Sequence, residues 1–215
     1  MDIDDVWRAI DDQRTGLADL LDVLTPAEWA TASLCEGWRV RDVAAHLTLA
    51  QMRPLPAALA AVRAGGSFDR MIRDTARRRA RLPCDEFGRR LRAMAGSRRT
   101  APLVTPLEPL IDVLVHGQDI TRPLGRLRPM PTQAAMAAAD RVWSMGWPFT
   151  AQRRLRGLRL SATDTPWSVG GGASVEGPIS ALLLLLTGRD AARDELTGPG
   201  VGVLTGTARG SRRQG

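Results

Sequence analysis

The chain reads as a mainly α-helical protein, a four-helix bundle followed by a small α+β C-terminal extension. Three observations predict this. Up to about residue 155, apolar residues recur at three- and four-residue steps. Two Thr-Pro-x-Glu helix starts stand at 25–28 and 105–108. Beyond about residue 155, the texture turns to short alternating runs punctuated by Gly, Pro and Asp.

Ile3, Trp7, Ile10, Leu17, Leu21 and Leu24 form one apolar stripe and predict a first helix over about 2–24. Thr25-Pro26-Ala27-Glu28 then combines a capping hydroxyl, a proline at the first helical position and a glutamate three residues on, and opens a short helix carrying Trp29. Helices follow at about 39–63, 67–82 and 85–96, separated by Ala64-Gly65-Gly66 and by Leu82-Pro83. Thr105-Pro106-Leu107-Glu108 opens the helix that carries Asp112 and His116, and PTQAAMAAADRVWSMG (131–146) predicts another. GLRLSATD (157–164), PWSVG (166–170) and ASVEG (173–177) read as a small meander of strands, with Gly170-Gly171-Gly172 as a hairpin connection. Helices at 178–188 and 190–196 complete the extension. The expected division is 1–155 bundle, 156–205 α+β region and 206–215 disordered tail, because the last ten residues carry no large apolar side chain.

All thirty basic residues are arginine and tyrosine is absent, which points to base-composition bias more than to function. The pI of 11.2 therefore overstates a net charge of +7, since little titrates at high pH before arginine itself. The acidic, amphipathic start MDIDDVWRAIDDQ does not read as a secretory signal, and the longest apolar run, ISALLLLL (179–186), is far shorter than the roughly twenty residues of a membrane span. A cytoplasmic protein without membrane helices is expected. Cys35 and Cys84 have no repeated spacing and should remain reduced.

The chemistry centres on the two histidines, which follow aspartates by four residues in RDVAAHL (41–47) and IDVLVHG (111–117). Residues four apart share a helix face, so Asp112 and His116 can address one point, and His46 is the other imidazole available. Two imidazoles and a carboxylate suit a divalent transition metal, with Zn²⁺ the default and water in the remaining positions. A blander reading stands beside it: Glu108, Asp112, His116 and Asp119 form a polar stripe next to the apolar one and could simply face water. Asp42, early in its helix, reads as structural, favouring the positive end of the helix dipole.

LTPAEWATASLCEGWRVRDVAAHLTLAQ (24–51) and LIDVLVHGQDITRPLG (110–125) resemble the two signature stretches of the mycothiol-dependent maleylpyruvate isomerase family, within the DinB-like superfamily of metal-binding four-helix bundles. The resemblance includes Trp29, the Cys35-Glu36-Gly37-Trp38 turn, Asp42, His46-Leu47 and His116-Gly117-Gln118-Asp119, and TDTPWSVGGG with GPISALLLLLTGR extends it into a tail that looks shorter than the family's full C-terminal domain. It implies a DinB-like fold and a metal held by His46, Asp112 and His116, where Asp112 replaces the family's glutamate and is one methylene shorter. It also implies mycothiol as thiol cosubstrate: a thiol entering an open metal position would be held as thiolate and add to a small-molecule electrophile, giving cis–trans isomerisation of an enedioate or S-transfer.

Other residues keep open alternatives. Asp119 could accept a hydrogen bond from His116 as a supporting partner or bridge to an arginine such as Arg122. Cys35 reads as a small thiol packed beneath Trp38 more than as a group near the metal. The arginine run RDTARRRARLP (73–83), continuing to Arg89, Arg90 and Arg92, lacks interleaved aromatics, so a solvated helix face is preferred to a nucleic-acid binder. Some of these arginines could steer an anionic substrate. A non-catalytic metal- or ligand-binding module on the same scaffold is the main alternative function, and homodimerisation through apolar helices is left open.

Overall fold

The computed structural model describes residues 1–51, 68–100 and 104–204, with 68–72 described by backbone alone. Residues 52–63 of the expected 39–63 helix and the tail expected to be disordered lie outside the described residues. The chain forms two compact units, Met1–Pro129 and Met130–Gly215.

In the first unit, α1 (Ile3–Asp22) starts at Asp2, whose carboxylate accepts the Asp5 N–H, and buries Val6, Trp7, Ile10, Arg14, Leu17 and Leu21. The short α2 (Pro26–Ala30) is closed by a reciprocal cap: Thr25 N–H donates to Glu28 Oε2 at 2.8 Å, and Glu28 N–H to Thr25 Oγ1 at 3.3 Å. It delivers Trp29 against Phe87, ring centroids 5.6 Å apart. α3 (Val40–Leu47) begins where Arg39 N–H donates to Asp42 Oδ2, the structural role expected of Asp42. α4 (Phe68–Arg79) and α5 (Asp85–Arg92) follow, then α6 (Leu107–Thr121) behind the hydrogen bond from Thr105 N–H to Glu108.

α1 packs on α5 and α6, and α3 packs on α4 and α6, so α6 lies inside the bundle and buries most of its length. Gly88 permits the α1–α5 contact, because a Cβ there would run into the Asp22 carboxylate and the Ala18 carbonyl. Leu17, Leu21, Val43, Phe87, Leu91 and Ile120 belong to the core between these helices. The polar stripe of α6 does not face water: Asp119 is fully buried, and Asp112 and His116 are half-buried. The reason is that α6 has helices on two sides, so its second face is also interior.

The second unit contains α7 (Thr132–Ser144), α8 (Ala151–Arg154), a three-stranded sheet and α9 (Ile179–Leu186). The bundle was expected to run to 155, but α7 and α8 fall in this unit. The alanines of α7 at 134, 135, 138 and 139 are buried, and that small-residue helix packs on the almost wholly apolar α9. Trp167 Nε1 also donates to Asp140 Oδ1 of α7 at 2.6 Å.

The strands are β1 (Leu158–Ala162), β2 (Ser168–Gly170) and β3 (Ala173–Gly177), in the order β2-β1-β3. β2 pairs antiparallel with β1, Val169 opposite Leu160, whereas β3 pairs parallel with it, Val175 opposite Leu160. The sheet is thus not the meander expected, and Gly170-Gly171-Gly172 is not a hairpin. β1, with Leu158 and Leu160 buried, takes a neighbour on each edge, so the glycines carry the chain across its end. Gly172 (φ +115°) leaves no room for a Cβ against the Gly157 carbonyl.

Candidate metal centre

Two elements bring the expected residues together. His46 lies in the last turn of α3, and Asp112 and His116 lie four apart on α6, which packs on α3. Asp112 Oδ1 is 3.3 Å from His46 Nε2 and 3.4 Å from His116 Nε2. The two imidazoles meet edge to face with centroids 4.9 Å apart, and all three potential ligand atoms lie within 4.8 Å of one another.

These separations fit a small cation. Ligands about 2.1 Å from a tetrahedral zinc stand about 3.4 Å apart, the spacing found from the Asp112 oxygen to each imidazole nitrogen. Three protein donors also leave a coordination position open. The aspartate reaches both nitrogens despite its missing methylene. Burial pushes the Asp112 carboxyl up, but the charge and hydrogen bond of His46, then His116 and Arg14, outweigh it and hold it down to about 2.

The surroundings orient the imidazoles. His116 Nδ1 is 2.8 Å from Oδ2 of Asp119, so Nδ1–H donates to that carboxylate and Nε2 is turned toward Asp112. The contact between Asp119 and His116 is present, and Arg122 Nε donates to Gln118 Oε1 at 2.9 Å. Trp38 meets the His46 ring edge-on, centroids 5.6 Å apart. Cys35 does pack against the core, but its thiol also lies 3.1 Å from Asp119 Oδ2 and 3.7 Å from His116 Nδ1, on the side of the ring away from Asp112. The expectation of a thiol that merely fills space beneath Trp38 is therefore too plain.

Arg14 was missed. It interrupts the apolar stripe of α1 between Ile10 and Leu17, yet it is only 3% exposed, and its charge acts on Asp112. The signal was in the pattern: Trp7, Ile10, Arg14, Leu17 and Leu21 keep a strict three-four alternation, so position 14 had to point inward. Burial depresses its guanidinium below the ordinary value, against the pull of Asp11 and Asp112.

The arginine run behaves as a solvated face where it is described. Arg90 pairs with Glu86 at 3.0 Å, and Arg92 with Asp19 and Asp22 at 2.6 Å each, while Arg89 also pairs with Glu86. Arg41 is engaged by the Ala80 and Leu82 carbonyls. Cys35 and Cys84 form no disulfide, and among the described residues no helix is long and apolar enough to cross a membrane.

The chain matches two crystal structures, the mycothiol-dependent maleylpyruvate isomerase (15% identity, 93% of each chain covered, TM-score 0.63) and a histidine-to-alanine mutant of it (16% identity, 93% of each chain, TM-score 0.64). The sequence had led us to expect a shortened C-terminal part, but 93% of that enzyme's chain is covered, so it is not markedly shorter. A search of curated proteins returns no match. Residues 10–109 match the family described as mycothiol maleylpyruvate isomerase N-terminal domain. Residues 10–109 are thus similar to the N-terminal domain of that family, and the chain shares the fold of the solved enzyme.

Proposed function

We propose that this protein is a metal-dependent enzyme that uses mycothiol, or a closely similar low-molecular-weight thiol, to attack an electrophilic small molecule. His46, Asp112 and His116 are the proposed ligands of one divalent cation, with Zn²⁺ the default. The observation that carries the reading is the Asp112 oxygen set 3.3 and 3.4 Å from two imidazole nitrogens, one of whose rings has its other nitrogen engaged by a buried carboxylate. A cation bound there would supply positive charge that favours thiolate over thiol near neutral pH.

The chain's own residues do the rest. Asp119 orients the His116 ring, Trp38 meets the His46 ring edge-on, and Arg14 adds a small positive field at Asp112. With an enedioate of the maleylpyruvate type, the thiolate sulfur bonds to one alkene carbon, the former double bond rotates, and expulsion of the thiolate restores it in trans. With a substrate bearing a leaving group, the same addition ends in S-transfer. The family of the N-terminal domain favours isomerisation as the first activity to assay. Mycothiol dependence fits an actinobacterial cytoplasm, where Cys35 and Cys84 would stay reduced.

The test is metal content and thiol-dependent turnover together. Purified wild type should hold about one zinc per chain after mild dialysis, and His116→Ala should lose it, by elemental mass spectrometry. Maleylpyruvate should isomerise only with mycothiol present. Wild type that refuses added Zn²⁺ would overturn the proposal, and metal without thiol-dependent chemistry would leave a binding module.

A further inference from the structure

Cys35 takes no part in the proposed ligand set, yet the structure gives it a defined partner. Asp119 is fully buried, so its carboxylate must be satisfied by protein donors. Its Oδ2 receives His116 Nδ1 at 2.8 Å and the Cys35 thiol at 3.1 Å. The thiol approaches that oxygen from another direction than the imidazole and so helps to fix the carboxylate, and with it the ring.

The segment carrying Cys35 is built to hold this position. Ser33 Oγ donates to the Cys35 and Trp38 carbonyls at 3.3 and 2.9 Å and accepts from Cys35 N–H at 3.2 Å. Gly37 supplies the left-handed residue of the turn at φ +72°. Leu34 N–H donates to the Asp119 main-chain carbonyl at 3.2 Å, which docks the turn onto α6 at the very residue whose side chain Cys35 reaches.

Cys35, His116 and Asp119 also lie close enough together to resemble a second ligand set. The separations decide against that. His116 Nδ1 and Asp119 Oδ2 are 2.8 Å apart, a hydrogen-bond distance, where two ligands on one tetrahedral cation would stand about 3.4 Å apart. An Nδ1 that donates its proton to Asp119 is not also a ligand.

We propose that Cys35 is a positioning residue: through its hydrogen bond to Asp119 it fixes the carboxylate that orients His116 for metal binding. This rests on the metal reading above. Its test uses the full chain, with Zn²⁺ affinity by chelator competition, Co²⁺ absorption spectra and thermal melts of the metal-free proteins. Removing a partner of a metal-ligating histidine typically costs about 10–100-fold in affinity. We expect that range for Asp119→Asn, and about 3–10-fold for Cys35→Ala, which acts one bond further out. Cys35→Ser keeps a donor and should restore most of the loss. Cys35→Ala/Asp119→Asn should bind no more weakly than Asp119→Asn alone, a coupling that mere packing damage would not produce.

Unchanged affinity in Cys35→Ala, or losses that simply add in the double variant, would overturn the proposal while leaving the metal site intact. A thiolate-to-cobalt charge-transfer band, present in wild type and lost in Cys35→Ala, would overturn it by making Cys35 a ligand. Wild type that binds neither metal would remove the reading on which it stands. If Cys35→Ala melts early, the Cys35→Ser rescue and the double-variant comparison still decide.

Discussion

Asp112→Asn isolates the charge of the proposed ligand while keeping its size. In the metal-free protein, the surroundings hold the Asp112 carboxyl down to about 2 against an ordinary 3.8. That shift of nearly two units corresponds to about 2 kcal/mol favouring the folded state at 1.36 kcal/mol per unit. The carboxyl is depressed on folding, so this stability is fully present above pH 3.8 and is lost as the pH falls through about 2. The side chain is 27% exposed, so solvent screening trims the figure only modestly. Near pH 5, metal-free Asp112→Asn should therefore be less stable by about 2 kcal/mol, or about 4–8 °C in Tm for a chain of this size, and the gap should close toward pH 2. Wild type should gain about 2.7 kcal/mol more from Zn²⁺ at a hundred times its Kd, and the variant little or none at the same concentration. Urea titrations with and without Zn²⁺ over a pH series read both effects. A variant as stable as wild type near pH 5, a gap that fails to shrink in acid, or an equal response to Zn²⁺ would refute the electrostatic account of this site.

Replacing Arg14 by Leu continues the apolar stripe of α1, so thermal stability should hold or rise, by up to about 1–4 kcal/mol as found when buried charges give way to apolar groups. The same change removes a cation near Asp112, so Zn²⁺ affinity by chelator competition should increase; a fall would show Arg14 to support the site. Glu28 is held down to about 2 by the Thr25 N–H, then by Arg126, so its contribution is full above 4.5 and vanishes as the pH falls through about 2. Glu28→Gln should flatten the acid limb of a stability–pH curve, and an unchanged limb would count against the cap. Gly37→Ala meets open space but a left-handed backbone, so it should cost about 1–2 kcal/mol from strain alone and should also weaken metal binding, because the turn carries both Cys35 and Trp38. Melting curves and chelator competition on that variant check the two effects separately.

What the sequence determined by itself is local. The Thr25–Glu28 cap forms as written, and Thr105 N–H likewise donates to Glu108, because each of these hydrogen bonds closes over three residues, and Asp112 and His116 share a face because a helix turn brings fourth neighbours together whatever surrounds it. The resemblance of the two signature stretches further singled out His46. The sequence pattern also held Arg14 at an inward position, although a charged side chain among leucines was easy to pass over. Only the tertiary structure decided the rest. His46 meets Asp112 because α3 packs on α6, and Cys35 reaches Asp119 across 84 residues because the Ser33–Trp38 turn docks on that helix. Likewise, β3 joins β1 in parallel, and α7 packs on α9, because buried area and backbone pairing are settled among whole elements. No window of neighbouring residues contains both partners of such a contact, so periodicity and capping can place each side chain on its element but not the elements against one another.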